Sequence, residues 1–246
     1  QIAIFSPKGE KMALSVHITF SEAFMRYFNN FDAFMKLVLS MTGGFYNTLI
    51  IFFFTLLFSL PLGLLIAFGR MSKNRIVSGI FRLYISLMRG TPLMLQLMVV
   101  YFGPFYLFGM NIGKWRFPAI ITGFALNYGA YFAEIYRSGI VSMDRGQYEA
   151  AKLLGYSKGQ TFVRIILPQV VKRILPAITN EVITLVKDTS LAFSISYVEM
   201  FTIAKQIAAA KTTMVPFVAA GIFYYIFNFV VAWVMELLEK KFSYYH

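Results

Sequence analysis

The sequence predicts an all-α integral membrane protein with five transmembrane helices. The chain has 246 residues, of which 58% are hydrophobic and only 14% are charged. An ordinary soluble domain is about 45–50% apolar and about a quarter charged. The charged residues also leave long uncharged intervals, and about 20 apolar residues are enough to cross a hydrocarbon core of roughly 30 Å. These two observations place most of the chain in a lipid bilayer.

The first three crossings are predicted from intervals without Asp, Glu, Lys or Arg. These intervals have 33, 24 and 17 residues and lie between Lys36 and Arg70, between Arg89 and Lys114, and between Arg116 and Glu134. The second crossing is placed at residues 92–110. The third is expected to continue as a helix to Arg137, because the spacing of Arg137 from Glu134 allows an ion pair on one helix face.

The last two crossings differ in character. The fifth is predicted from an uncharged interval of 24 residues between Lys211 and Glu236. The stretch from Arg173 to Lys211 is apolar enough to cross but contains several charged residues. Charged groups at membrane depth are found where they face protein or a water-filled cavity. We therefore predict that residues 174–186 belong to a fourth crossing that lines a polar space.

Basic residues in the connecting loops predict the orientation. Arg70, Lys73 and Arg75 follow the first crossing, and seven Lys or Arg residues lie between positions 137 and 173. Loops rich in Lys and Arg stay in the cytoplasm, so we predict an outside N-terminus and an inside C-terminus. The formal net charge of +12 is then a membrane-orientation signal, and it does not indicate nucleic-acid binding.

The N-terminal part is predicted to be organised differently from the rest. Residues 1–40 are expected to form an interfacial or extracytoplasmic segment, and residues 41–246 the transmembrane domain. Aromatic residues at roughly helical spacing are typical of an amphipathic helix at a membrane surface; they are Phe20, Phe24, Tyr27, Phe28, Phe31 and Phe34. No signal peptide is expected, because the charged stretch at 8–11 is not followed by an uninterrupted apolar core.

The sequence lacks the residues that several chemical functions require. The chain contains no Cys, which excludes disulfides, Cys-ligated zinc, iron–sulfur clusters and thiol nucleophiles. It has no Gly-x-x-x-x-Gly-Lys-Ser/Thr phosphate-binding loop, so it does not bind ATP by that mechanism. We expect no catalytic residue, no metal site and no cofactor held by this chain.

The loop between the third and fourth crossings is predicted to contain a short amphipathic helix. Residues 149–154 include good helix formers, Glu149 lies near the positive end of the helix dipole, and Gly155 is a natural C-terminal stop. The helix formers Ala150, Ala151 and Leu154 lie inside it. Such a helix would project from the membrane.

One set of residues in this loop resembles the EAA loop of ATP-binding cassette (ABC) importer permeases. It consists of Glu149-Ala150-Ala151, then Gly155 and, after nine intervening residues, Ile165-Ile166-Leu167-Pro168. Segments 88–96, 134–140 and 187–192 resemble signature segments of the polar amino acid branch of that family. The resemblance covers about residue 43 to the C-terminus.

The resemblance implies a type I ABC importer permease fold, with five transmembrane helices and a cytoplasmic coupling helix inside a loop at about 141–168. In that family the coupling helix docks onto a separate ATPase subunit, which implies that role for Glu149, Ala150, Ala151, Leu154 and Gly155. The implied partners are ABC ATPase subunits that bind ATP and Mg²⁺, a second permease subunit, identical or paralogous, and an extracytoplasmic amino acid-binding protein. The implied location is the cytoplasmic membrane of a bacterium.

The substrate pathway is predicted from polar residues in or beside the crossings. An amino acid carries an ammonium and a carboxylate, so its pathway needs both acceptors and donors. Arg89 or Lys187 would meet the carboxylate, and the acidic candidates would meet the ammonium. The full set of candidates is Arg89, Thr91, Gln96, Asn127, Tyr128, Glu181, Lys187, Asp188, Ser190, Ser194 and Glu199.

Alternatives stay open at this level. The charged residues can form ion pairs within the membrane, and the polar ones can form packing hydrogen bonds. Residues 89–92 can be a Gly-Pro break that only kinks the second crossing, with Arg89 at the cytoplasmic interface. The basic loop can lie against anionic headgroups. An ion-coupled secondary transporter would use Glu181, Asp188 and Glu199 for its coupling ion, but it leaves the EAA-like loop unexplained. A membrane enzyme is disfavoured, because no acid and base residues accompany a nucleophile.

Overall fold

The computed structural model describes residues 31–242, and this part of the chain is helical without strands. The elements are α1 (Phe31–Arg70), α2 (Arg75–Gly90), α3 (Leu93–Phe108), α4 (Arg116–Val141), α5 (Arg145–Leu153), α6 (Lys158–Thr161), a π-helical segment (Phe162–Ile166), α7 (Leu167–Asp188), a 3₁₀ segment (Thr189–Ile195), α8 (Met200–Lys211) and α9 (Val215–Phe242). The predicted fold class is confirmed.

Helices α1 and α4 run in the same direction. The ring of Phe54 packs on that of Phe117 near the start of α4, with 6.0 Å between the centroids. Further along both helices, Gly63 lies against Phe132. A Cβ atom built on Gly63 would be 2.8 Å from Cβ of Phe132, so this close approach requires glycine. Small residues at helix crossings are typical of packing in membranes.

Helix α7 runs antiparallel to α4, and α9 runs antiparallel to α7. Ile174 near the start of α7 contacts Gly139 near the end of α4, whereas Asp188 at the end of α7 contacts the middle of α4. The Thr179 hydroxyl donates to Glu239 near the end of α9. Helices α1, α4 and α9 therefore finish at one end of the molecule, where α7 begins. We call this the loop end, and it carries both richly basic loops, as the charge pattern predicts.

The second crossing is predicted at residues 92–110, and α3 (Leu93–Phe108) is one continuous helix within those bounds. Helix α3 has 16 residues, which is about 24 Å at 1.5 Å per residue and is shorter than the hydrocarbon core. Helix α2 precedes it, and the two helices are bent by 110° at the break between them. Residues 75–90 lie in the predicted connection between the first two crossings, but they form an amphipathic helix. It ends before Pro92, since proline disfavours helix at the preceding residue.

By length and composition, α1 and α9 are able to cross a membrane, and the bent pair α2–α3 would make a third crossing among the described residues. The directions of α1, α2–α3, α4, α7 and α9 alternate as five crossings require. The count of five stays a prediction.

Helix α1 begins at Phe31 and passes without a break through the predicted boundary between residues 40 and 41. Leu37 and Met41 are buried against α8 and α9, which the sequence did not indicate. Residues 1–30, with most of the predicted amphipathic helix, lie outside the described part of the chain. Helix α8 was not predicted either.

Candidate functional site

The break between α2 and α3 lies at half the depth of the helical body. Asn127 of α4 donates a hydrogen bond to the Met88 carbonyl at the end of α2. At 1.5 Å per residue, Asn127 is about 17 Å from the start of α4 and about 21 Å from its end. An interrupted backbone at this depth is tolerated only where it is buried in protein or lines a water-filled cavity. The break therefore marks a candidate binding position.

Arg89 lies at this break, on the penultimate residue of α2. Its guanidinium carbon is 5.2 Å from the ring centroid of Tyr131 on α4. Its charge acts on the carboxylate of Glu181 in α7, and the side chain is exposed in the single chain. Tyr131 was missed by the sequence prediction, although it lies one turn from Tyr128.

Two carboxylates of α7 face the same region. The Tyr128 hydroxyl donates to Oδ2 of Asp188 at 2.8 Å, and Tyr128 is buried. Glu181 precedes Asp188 by two helical turns, about 10.5 Å along the axis, and is half-buried. Electrostatic interactions connect Glu181 with Asp188 and Tyr128.

The structure thus brings together four predicted residues from three separate parts of the sequence. We call Arg89, Tyr128, Glu181 and Asp188, together with Tyr131, the charged cluster. It combines one cation with two carboxylates and two phenol rings. Such a set provides donors for an anionic group and acceptors for a cationic one.

Three other predicted residues, Thr91, Gln96 and Asn127, form hydrogen bonds that hold the backbone at the α2–α3 break. The Gln96 amide donates to the carbonyls of Met88 (2.9 Å) and Thr91 (3.1 Å) and to the Thr91 hydroxyl (2.7 Å). Its oxygen accepts from Asn127 at 2.9 Å. The Thr91 hydroxyl donates to the Leu87 carbonyl. These side chains bind backbone and one another.

The remaining predicted residues follow α7 or lie at its end. Lys187 is exposed and acts electrostatically on Asp188. The Ser190 hydroxyl donates to the Lys187 carbonyl at 2.8 Å. The Ser194 hydroxyl is buried and has no hydrogen-bond partner among the described residues.

Glu199 lies apart from the charged cluster and has a structural role. It is fully buried and caps α8, with its carboxylate accepting from the backbone N–H groups of Phe201 and Thr202. The hydroxyls of Thr202 and Tyr224 donate to the same carboxylate. Both oxygens are occupied, so we do not include Glu199 in the proposed pathway.

Helix α5 has the form that the sequence predicts. Asp144 caps its start by accepting from the Gly146 N–H at 2.6 Å. At its end, the N–H groups of Gly155 and Tyr156 donate to the carbonyls of Lys152 and Ala151, respectively. This is a Schellman motif, and its left-handed position is Gly155 with φ +83°, which explains the glycine.

The outer surface of α5 ends in an apolar tip. Leu153 is 89% exposed and Leu154 is 76% exposed, and Glu149 and Ala150 are also exposed. Ala151 is buried. Leu153 was not predicted as a site residue, although its exposure exceeds that of Leu154. We call Leu153 and Leu154 the leucine tip.

Two polar brackets lie at the loop end, one between α5 and α7 and one between the end of α4 and α7. Gln147 of α5 and Gln169 of α7 exchange reciprocal amide hydrogen bonds of 3.0 and 2.9 Å. Arg173 of α7 donates from Nη1 to the carbonyl and the hydroxyl of Ser142, which follows α4. No group of three or more His, Cys, Asp or Glu side chains suited to a metal lies within residues 31–242.

Comparison with known proteins agrees with this geometry. Residues 59–244 match the family described as "Binding-protein-dependent transport system inner membrane component". The L-cystine transport system permease protein TcyB of Bacillus subtilis is 36% identical, with 83% of this chain and 87% of TcyB aligned. The arginine transport system permease protein ArtQ of the same organism is 36% identical, with 86% and 96% aligned.

Solved structures show the same architecture. A crystal structure of an amino acid ABC transporter with histidines contains a chain with a TM-score of 0.78 and 31% identity, and the match covers 86% of this chain and 98% of that one. A chain of the MetNI methionine ABC transporter, at 18% identity and a TM-score of 0.62, shares the fold. The chain belongs to the family of inner-membrane components of binding-protein-dependent transport systems and is the permease component of an ABC amino acid importer.

Proposed function

We propose that this permease moves a polar amino acid across the cytoplasmic membrane by alternating access, with α5 docked as a coupling helix on a separate ATPase subunit. The observation that carries this proposal is the charged cluster at the α2–α3 break. Many secondary transporters place substrate sites near the bilayer midplane beside interrupted helices, and the same physical reasons apply here. The cluster combines that position with complementary charges.

The cluster suits the two charged ends of an amino acid. Arg89 offers a guanidinium to the carboxylate, and α3 begins beside it with Pro92, which makes no side-chain cap. The positive end of the α3 dipole favours an anion at the same place. Glu181 and Asp188 accept from the α-ammonium and from a polar or cationic side chain. The relatives named for L-cystine and arginine transport agree with a polar amino acid.

A second permease subunit is needed to enclose this site. Arg89 and Lys187 are exposed in the single chain, and charged groups at membrane depth require protein or water around them. A second permease subunit, identical or paralogous, supplies that cover and forms the other wall of the pathway. The loop end then faces the cytoplasm, where ATPase subunits hold ATP and Mg²⁺, and a binding protein delivers the amino acid at the opposite end.

Reconstitution tests this function. The complete transporter in proteoliposomes, supplied with its binding protein and L-arginine, L-glutamine or L-cystine, is expected to accumulate at least one of them only when ATP is present. Accumulation by the permease subunits without ATPase and ATP would instead establish an ion-coupled secondary transporter.

Removing the charge of Glu181 or Asp188 is expected to weaken amino acid binding. Glu181→Gln and Asp188→Asn each remove a charged acceptor, whose hydrogen bonds contribute about 1.5–3 kcal/mol. We expect a roughly tenfold or greater rise in Kd, measured by calorimetry on the purified transporter. Glu239→Gln is the matched control, because Glu239 lies on α9 near the loop end. The Kd of the amino acid for this variant is expected to equal that of the wild type. Unchanged Kd values in both α7 variants would remove these carboxylates from the site.

Breaking the Gln147–Gln169 bracket is expected to weaken coupling. Gln169→Leu keeps the volume of the side chain but removes both reciprocal hydrogen bonds, so α5 moves with less effect on α7. We expect ATP hydrolysis to continue while the amino acid transported per ATP falls about two- to fivefold, in line with about 0.5–1 kcal/mol for partly exposed hydrogen bonds. A normal transport-to-hydrolysis ratio would show that the bracket does not transmit the motion.

A further inference from the structure

Proline at position 92 leaves a carbonyl without its helical partner. In a continuous helix the Met88 carbonyl would accept from the N–H of residue 92, and proline has none. This carbonyl lies at the depth of Asn127, in the middle of α4. An unsatisfied backbone carbonyl at that depth is costly, because no water reaches it from the lipid.

Two amide side chains replace the missing N–H. Gln96 of α3 donates to the Met88 carbonyl at 2.9 Å, and Asn127 of α4 donates to it at 3.1 Å. Asn127 also donates to Gln96 at 2.9 Å, and Asn127 is only 4% exposed. The amide pair thus ties the end of α2, the start of α3 and the centre of α4 to one carbonyl.

The tied carbonyl belongs to the residue directly before Arg89. Because Gln96 also bonds the Thr91 carbonyl and hydroxyl, the backbone is held on both sides of Arg89. The guanidinium is held over Tyr131 on the same helix as Asn127, at 5.2 Å from the ring centroid. The direction of the arginine is therefore set by the turn that the two amides hold.

We infer that Gln96 and Asn127 are positioning residues for recognition of the substrate carboxylate, holding the 88–92 turn so that Arg89 points into the pathway. This inference rests on the proposed function, which assigns the carboxylate to Arg89. The two amides, which were predicted to contact the substrate, then hold the residue that contacts it. Both occupy their amide donors within the protein, which leaves recognition to Arg89.

The test measures discrimination rather than affinity alone. The purified complete transporter is titrated with the tightest-binding amino acid among L-arginine, L-glutamine and L-cystine, and separately with its α-carboxamide, which lacks the negative charge. The Kd of the α-carboxamide divided by the Kd of the amino acid reports carboxylate recognition, and a high ratio means strong recognition. Asn127→Leu and Gln96→Leu are expected to lower this ratio by about five- to thirtyfold, and Arg89→Ala to lower it at least as far.

A double variant and a control separate positioning from general stability. The double variant Arg89→Ala with Asn127→Leu is expected to have the same Kd ratio as Arg89→Ala alone, since both changes act on one contact. Tyr84→Phe removes another α2–α4 hydrogen bond, from the Tyr84 hydroxyl to the Leu126 carbonyl at 2.6 Å, and is expected to keep the wild-type ratio. Thermal unfolding is recorded for every variant.

Each outcome decides a different question. If Asn127→Leu and Gln96→Leu lower the melting temperature but keep the wild-type ratio, the amides are only structural and the inference is wrong. If Arg89→Ala lowers the ratio in that experiment, the proposed substrate site still stands. If Arg89→Ala itself keeps the ratio, the carboxylate assignment fails, and the inference fails with it.

Discussion

Replacing Leu153 and Leu154 together by aspartate is expected to abolish ATP-driven accumulation of the amino acid. Both side chains project from α5 and are mostly exposed, although apolar, so burial on a partner is their most favourable state. Burying a leucine side chain contributes about 1.5–3 kcal/mol. Losing two of them lowers the affinity for the ATPase about 100-fold or more, at 1.4 kcal/mol per tenfold. Co-purification of the ATPase with the variant permease measures this loss.

The control adds one aspartate to the same loop at a different place. A Cβ atom built on Gly159 meets nothing within 4 Å, so Gly159→Asp is expected to fold and to retain the ATPase. Thermal unfolding of the isolated permease is expected to be unaffected by the leucine changes, because exposed side chains contribute little to its core. A double variant that still co-purifies and couples hydrolysis to transport would place the ATPase contact elsewhere.

The sequence was most informative where local chemistry decides the structure. The short helix α5 and its stop at Gly155 follow from residue preferences within one turn, and a Schellman motif needs a left-handed residue at that position. The ion pair of Arg137 with Glu134 is likewise present in α4. Both features depend on neighbours in the sequence, and both were predicted.

The sequence was least informative where a polar residue has a choice of partners. Glu199 and Asn127 are both polar residues in apolar surroundings, and composition does not separate a cap or a backbone support from a substrate contact. Only the packing of distant helices shows that Glu199 caps α8 and that Asn127 bonds Met88. Helix α2, which precedes the break, was missed for a related reason: its charges concealed an amphipathic helix.

Tertiary structure also reduced the list of pathway residues to a coherent group. Arg89, Tyr128, Glu181 and Asp188 come from α2, α4 and α7, and their approach depends on the antiparallel packing of α7 on α4. Tyr131 joins them only because Arg89 stacks over its ring. A pattern of polar residues along the sequence predicts candidate pathway residues but not which of them lie together in the fold.

Arg89→Ala is expected to weaken binding of the amino acid about 10- to 150-fold while binding of its α-carboxamide changes little. Hydrogen bonds to a charged group contribute about 1.5–3 kcal/mol, and 1.4 kcal/mol corresponds to tenfold in Kd. The sequence left Lys187 as a second candidate for the carboxylate. The structure favours Arg89, because it lies at the interrupted helix beside the positive end of α3, whereas Lys187 lies beside Asp188. Calorimetric titration of the purified transporter with both compounds measures the two Kd values.

Arg82→Ala is the matched control for Arg89→Ala. Arg82 precedes Arg89 by two helical turns on α2 and is also exposed, so it carries the same charge on nearly the same face, about 10.5 Å earlier along the axis of α2. Its removal changes the net charge of the helix by the same amount. If charge alone attracted the amino acid, both variants would bind equally weakly; if Arg89 contacts the carboxylate, Arg82→Ala binds as wild type does. Equal weakening in the two variants, or a loss confined to Lys187→Ala, would contradict the placement of the substrate carboxylate at the α2–α3 break.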